Sequence, residues 1–210
     1  MARILETLYL QGPAGRLECL HEGPEEDVRI RQAAVVCHPH PLFGGTLHNK
    51  VVFRLARAAR NADAAVLRFN FRGVGQSAGE HDDGLGEQDD VRAAARFMKD
   101  RYPGLPLVLA GFSFGASMSL RVACGDPTIA RVIAAGTPVN RGGFGFLASC
   151  GAPKHFLHST NDEHGARDKM EAAFEMAAPP KKLDWIEAKD HFFVDALDAF
   201  ESAALKAFQL

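Results

Sequence analysis

The chain has 210 residues and a formal net charge of −2 with histidines neutral, a length that suits one domain over residues 1–210. Hydrophobic residues make up 47% and charged residues 24%, which excludes a disordered, collagenous or disulfide-scaffold chain. The near-neutral balance argues against nucleic acid or an anionic membrane surface as a partner.

The first residues, Met1 to Leu8, alternate polar and apolar and lack the uninterrupted apolar core of a signal peptide. No stretch approaches the ~18 apolar residues of a membrane span, so a cytoplasmic location is expected. Ile4–Leu10 and Arg16–His21 alternate around Gly12-Pro13-Ala14-Gly15 and predict an opening hairpin. Ala33–Cys37 is an apolar strand that ends at His38-Pro39. Thr46 to Arg60 then carries Val51, Val52, Leu55, Ala58 and Ala59 at helical spacing, with Arg54, Arg57 and Arg60 on another face. That arginine stripe reads as a solvated helix face rather than a phosphate-binding surface.

Strands follow at Ala64–Phe71, Leu105–Phe112, Ala130–Ala135, His155–His158 and Leu183–Ala188. Helical patterns at Glu87–Lys99, Ser113–Cys124, Ala166–Met176 and Val194–Phe208 alternate with them. Such alternation implies parallel βαβ units covered on both faces, an α/β fold whose functional loops gather at the carboxyl ends of the strands. Neither repeats nor linkers interrupt it. The four cysteines, Cys19, Cys37, Cys124 and Cys150, contain no C-x-x-C pair; Cys37 and Cys124 lie in apolar runs and read as buried small hydrophobes.

G-x-S-x-G occurs twice, at Gly75–Gly79 and Gly111–Gly115. The pattern marks a nucleophile only where an apolar strand runs into the first glycine and a helix leaves after the serine, which then sits in a strained turn. Ser113 meets both conditions, with Leu107–Ala110 before it and Ala116–Ala123 after it. Ser77 is followed by Glu80-His81-Asp82-Asp83-Gly84 and reads as a plain turn. The overlapping Gly73-Val74-Gly75-Gln76-Ser77-Ala78 matches a dinucleotide-binding G-x-G-x-x-A, but no helix opens there to hold a pyrophosphate. No cofactor is expected.

A serine hydroxyl needs a base to remove its proton and an acid to orient that base. In the order Ser, acid, His, the acid after the next strands is Asp162 and the base beyond the last strand is His191. Glu163 and Asp190 are alternative acids. The oxyanion hole needs two backbone N–H groups. Phe114, after the nucleophile, supplies one. The loop His38-Pro39-His40-Pro41-Leu42-Phe43-Gly44-Gly45 supplies the other from His40 or Leu42, since proline has no N–H; Leu42 is favoured because the two glycines let the loop fold over the site. His38, His40 and His48 invite a metal reading, but no carboxylate or cysteine set completes a chelate, and no metal is expected.

These segments resemble the α/β-hydrolase superfamily, more narrowly its small, single-domain bacterial serine hydrolases near the dienelactone-hydrolase-like and predicted carboxylesterase groups. The resemblance is carried by residues 38–46, by Asn70-Phe71-Arg72-Gly73-Val74-Gly75-Gln76-Ser77, by Gly84–Asp90, by Gly111–Gly115 and by Asp190-His191-Phe192-Phe193. It implies a mostly parallel eight-stranded sheet, with Ser113 as nucleophile, Asp162 as orienting acid and His191 as base. Dienelactone hydrolases proper use a cysteine nucleophile, so their substrate is not implied, and Ser159-Thr160-Asn161 replaces the glycine that often precedes the acid. In the same pattern Glu87, Asp89 and Asp90 sit near Arg72 as an ion-pair set that pins a loop.

The expected activity is hydrolysis of carboxylic esters or thioesters of small soluble molecules through an acyl-enzyme; the alternative is a non-catalytic member of the fold that binds a ligand or partner. Phe43, Phe114, Phe144 and Phe146 are candidates for an acyl pocket or for core. About twenty residues separate the strands ending near Ala135 and beginning near His155. That is too few for a cap domain, and an open site follows.

Overall fold

The computed structural model describes residues 4–24 and 29–209; residues 1–3 of the N-terminal run lie outside the described residues. The eight strands are β1 (Ile4–Gly12), β2 (Gly15–Gly23), β3 (Gln32–Cys37), β4 (Ala64–Phe69), β5 (Leu107–Phe112), β6 (Ile129–Ala135), β7 (Lys154–Ser159) and β8 (Lys181–Ile186). They form one sheet in the order β1-β2-β4-β3-β5-β6-β7-β8. The opening hairpin pairs antiparallel and joins β4 antiparallel, and every pairing from β4 to β8 is parallel. Strands β3, β4, β5 and β7 are buried along their whole length, which is why they read as continuous apolar runs rather than alternating ones.

Helices α1 (Lys50–Asn61) and α5 (Leu197–Gln209) cover one face, where Val52, Leu55, Phe200 and Phe208 pack on Val36, Val66 and Ala110. Helices α2 (Gly86–Arg101), α3 (Phe114–Gly125) and α4 (Arg167–Met176) cover the other, packing Val91, Met98, Leu120 and Met170 on Val35, Leu67 and Phe156. This is the expected α/β-hydrolase architecture with helices on both faces.

Boundaries shift where side chains intervene. Helix α1 begins at Lys50 because the Asn49 carboxamide caps it, accepting from the Val51 and Val52 N–H groups at 2.9 and 3.4 Å. Strand β5 starts after Pro106, which lacks a ladder donor. Helix α5 starts later than Val194 because Phe193 and Asp195 hold left-handed φ values of 56° and 62°. The arginine stripe of α1 is ion-paired rather than merely solvated: Arg54 and Arg57 meet Glu201 of α5, and Arg60 meets the buried Glu22 of β2.

The Arg72 cluster is smaller than expected. Arg72 donates to both Asp90 oxygens (3.0 and 2.8 Å) and to the Gly86 carbonyl (2.6 Å). Glu87 accepts from the Asp82 and Gly84 N–H groups, each at 2.9 Å. Asp89 faces outward and pairs with Arg92 instead.

Cys124 is also not a lone buried thiol. It is disulfide-bonded to Cys150, with Cα atoms 4.8 Å apart, because the end of α3 and the end of the segment before β7 converge. That segment holds only 3-10 turns at Val139–Arg141 and Gly145–Ser149, so no cap covers the carboxyl ends of the strands. Among the described residues no helix is long and apolar enough to cross a membrane.

Candidate active site

Strand β5 delivers its chain to Ser113, and α3 leaves from it. Ser113 has φ 56° and ψ −116°, a backbone state a side-chain-bearing residue rarely adopts. Its N–H is held by the Ala135 carbonyl at 2.9 Å. The flanking glycines are fixed by close approach: a Cβ at Gly111 would fall 2.3 Å from the Gly115 carbonyl carbon, and one at Gly115 would fall 2.4 Å from the Cys37 carbonyl oxygen. Any larger residue would push the turn off β3.

Ser77, in the other G-x-S-x-G, is a structural tie. Its hydroxyl donates to the Asn70 carbonyl (2.7 Å) and accepts the Glu18 N–H (2.9 Å), binding the loop after β4 to β2. No helix opens in that loop before Gly86.

Asp162 follows β7 and His191 follows β8. His191 Nδ1 lies 2.8 Å from Asp162 Oδ2. The other Asp162 oxygen accepts the His164 and Gly165 N–H groups at 2.8 and 3.0 Å. Burial alone would raise the Asp162 carboxyl, but the hydrogen bond and charge of His191, the charge of His158 and the His164 N–H hold it below the usual carboxylate range. A carboxylate at that position fixes the His191 tautomer with its proton on Nδ1, leaving Nε2 as the basic atom. His191 Nε2 is buried and has no hydrogen-bond partner among the described residues, and Ser113 and His191 line the same cleft of about 450 Å³.

The two alternative acids hold the backbone around His191. Glu163 Oε2 accepts the His191 backbone N–H at 2.9 Å. Asp190 Oδ1 accepts the Phe192 and Val194 N–H groups at 2.9 and 3.1 Å, fastening the turn that carries His191. His164, whose ring centroid lies 4.7 Å from that of His191 in a T-shaped contact, also lines the cleft. No sequence spacing pointed to Glu163 or His164 in these positions; the signal was their adjacency to Asp162. His158, at the end of β7, donates from Nε2 to the Gly165 carbonyl at 2.7 Å and so braces the Asp162 loop from inside the fold.

Leu42 differs from expectation. Pro41–Phe43 winds into a 3-10 turn capped by His40, so the Leu42 N–H points at His40 Nδ1 (3.3 Å) and Leu42 stays outside the cleft with its side chain exposed. His40 lines the cleft, and among the described residues no acceptor takes its N–H. Phe114 occupies the first position of α3, where N–H groups lack intrahelical acceptors. His40 and Phe114, with rings 5.1 Å apart, line the cleft together with Ser113.

His38 is a framework residue. Its Nδ1 donates to the Pro39 carbonyl at 2.6 Å and its Nε2 accepts the Phe71 N–H at 3.0 Å. Both nitrogens are thereby used, and burial lowers its pKa to about 4. Of the four phenylalanines considered for a pocket, Phe43, Phe114 and Phe144 line the cleft and Phe146 lies outside its lining.

Comparison with known proteins places the chain among α/β serine hydrolases. A family model described as Hydrolase_4, serine aminopeptidase S33, matches residues 30–143. An uncharacterized protein of Rickettsia prowazekii is 33% identical over 209 residues, spanning 95% of this chain and 87% of that one. Among solved structures, an α/β serine hydrolase homologue from Coxiella burnetii matches with a TM-score of 0.90 at 33% identity, covering 96% of both chains. An α/β serine hydrolase without lid from Xanthomonas campestris matches at 0.88 and 36% identity, covering 96% of this chain and 92% of that one.

Proposed function

The chain belongs to the Hydrolase_4 (serine aminopeptidase, S33) family of α/β serine hydrolases, and from that premise we propose that it cleaves carboxylic esters or thioesters of small soluble substrates through an acyl-enzyme on Ser113. The observation that carries the reading is the 2.8 Å bond from His191 Nδ1 to Asp162, with Nε2 unpartnered among the described residues and with His191 and Ser113 lining one cleft.

In this reading His191 Nε2 takes the Ser113 hydroxyl proton as the oxygen attacks the substrate carbonyl. Asp162 stabilises the imidazolium that forms and does not itself take the proton. The Phe114 N–H and, in place of Leu42, the His40 N–H donate to the oxygen that becomes negative. The C–O or C–S bond breaks as His191 returns its proton to the leaving alcohol or thiol. Water, deprotonated by His191, then releases the acid and regenerates Ser113.

The absence of a cap between β6 and β7 supports small soluble substrates, since nothing closes over the cleft to exclude water from a long chain. We place the chain in the cytoplasm as part of the same proposal, and Cys124–Cys150 makes that testable: a reducing compartment would hold the pair as thiols.

Pre-steady-state kinetics on p-nitrophenyl acetate test the mechanism. The expected result is a burst of nitrophenolate equal to the enzyme concentration, abolished in Ser113→Ala. Absence of any turnover across short-chain p-nitrophenyl esters and their thioester analogues would instead favour a non-catalytic, ligand-binding member of the fold.

A further inference from the structure

The cleft extends beyond the serine and changes character as it goes. Ser113, Ser117 and Arg121 recur at four-residue spacing from the start of α3 and all line the cleft, so the wall runs about 12 Å along the helix. Phe114, Met118 and Phe144 line it as well. At the far end Arg121 is held in place: its Nη2 donates to the Gly143 carbonyl at 2.8 Å, and its guanidinium carbon lies 4.7 Å from the Phe146 ring centroid. Arg141, in the 3-10 turn after β6, lines the same cleft, is exposed, and among the described residues has no carboxylate partner. Its charge is felt across the cleft. Burial first, then the charges of His81 and Arg141, pull His40 below the ordinary histidine range.

The opposing charge is small. Among the described residues Asp83 is the single carboxylate in the lining; its side chain is fully exposed and lies 3.6 Å from His81. With histidines neutral the lining therefore carries two positive charges against one negative, in a chain whose net charge is −2. A fixed guanidinium and a second, unpaired one lining the same largely apolar cleft are groups suited to bind a carboxylate.

We propose that Arg121 and Arg141 form an anion-recognising subsite, so that the preferred substrate is an ester carrying a carboxylate several bonds from the scissile carbonyl. The inference rests on the esterase reading of Ser113 and names its substrate class. Hydrolysis of such an ester is balanced by water alone. The acyl carbon exchanges its alcohol oxygen for Ser113 Oγ, the alcohol leaves with the proton held by His191, and water then releases a dicarboxylic acid. Where the carboxylate sits on the alcohol side instead, the products are a simple acid and a hydroxy acid.

The test compares kcat/KM for p-nitrophenyl hydrogen glutarate with that for its neutral isostere p-nitrophenyl pentanoate. A second pair, the acetate ester of 4-hydroxybutyrate and butyl acetate, places the charge on the alcohol side. We expect at least a tenfold preference for the charged member of one pair, carried by KM and weakened by salt. In Arg141→Gln that ratio falls at least tenfold, and Arg141→Lys restores part of it. A ratio of one or less in both pairs, or a ratio unchanged in Arg141→Gln, overturns the subsite while leaving the esterase reading intact. If no ester is hydrolysed and Ser113 resists covalent labelling, the esterase reading fails, and calorimetric titration with glutarate monoamide then decides the subsite alone. Binding that weakens tenfold or more in Arg141→Gln supports it; no binding, or binding indifferent to that change, overturns it.

Discussion

Glu163 Oε2 accepts the backbone N–H of His191 at 2.9 Å, so the residue after Asp162 holds the main chain of the residue whose ring Asp162 binds. Asp162 sets the ring and Glu163 sets the backbone beneath it. Removing the second contact leaves the Asp162–His191 bond available but frees the loop that carries the imidazole. Glu163→Ala is expected to lower kcat by about tenfold to a hundredfold through misplacement of the base, with KM little changed. Glu163→Gln, whose carboxamide oxygen still accepts the N–H, is expected to recover most of it. Equal loss in both variants, or loss confined to KM, contradicts this positioning role; steady-state kinetics on one soluble ester read it out.

Acid stability follows from buried histidines. The pKa of His38 falls from 6.5 to about 4 on folding because burial disfavours its charged form. The unfolded chain therefore binds a proton at higher pH than the folded one. The stability from keeping His38 neutral is fully present above pH 6.5, declines as pH falls, and levels off below about 4, a loss on the order of 3 kcal/mol. Asp162, held low in the fold, adds a loss at lower pH still, as its carboxylate protonates. Urea midpoints measured from pH 8 to pH 4 are expected to be flat at first and to fall below about 6.5. A midpoint that rises through that window contradicts the assignment.

The Cys124–Cys150 bond closes a loop across a sequence separation of 26, and cutting it is expected to lower stability by roughly 3 to 4 kcal/mol on chain-entropy grounds. Cys19 and Cys37 are buried, and burial pushes both thiols up to about 12, so neither is nucleophilic at neutral pH. Alkylation with iodoacetamide followed by intact mass is expected to add nothing to the native oxidised protein and four groups after reduction in denaturant. Rapid labelling of the native protein contradicts the burial of the free pair or the presence of the bond.

The open cleft bears on lipid substrates. With only 3-10 turns between β6 and β7, no lid exists for an interface to open. Rates on a short triacylglycerol are expected to saturate smoothly through its solubility limit. A sharp rise in rate on appearance of emulsion contradicts the lidless reading.

Much of this architecture could be read from the chain. The parallel strands are legible because burial on both faces makes them continuous apolar runs, and Ser113 stands apart from Ser77 because only its glycines sit between a strand and a helix. The remainder depends on contacts that spacing does not encode. The choice between Leu42 and His40 turns on a three-residue 3-10 turn that rotates the Leu42 N–H toward His40 Nδ1. The pairing of Cys124 with Cys150 depends on where α3 ends relative to the loop before β7. Asp89 and Asp90 are neighbours in sequence, yet the helix directs one to solvent and the other to Arg72. Strand β8 begins at Lys181, earlier than its apolar residues suggest, because the Lys181 ammonium reaches the Phe174 and Glu175 carbonyls at the end of α4.

Ser113 as nucleophile, activated by His191 under the hold of Asp162, is tested by a fluorophosphonate probe and intact mass spectrometry on the native protein, Ser113→Ala and Asp162→Asn. One adduct per native chain, mapped to Ser113, is expected, with none on Ser113→Ala and labelling slowed about a thousandfold or more on Asp162→Asn, where the His191 tautomer is lost. An adduct that persists on Ser113→Ala, or native protein that takes none, would contradict it.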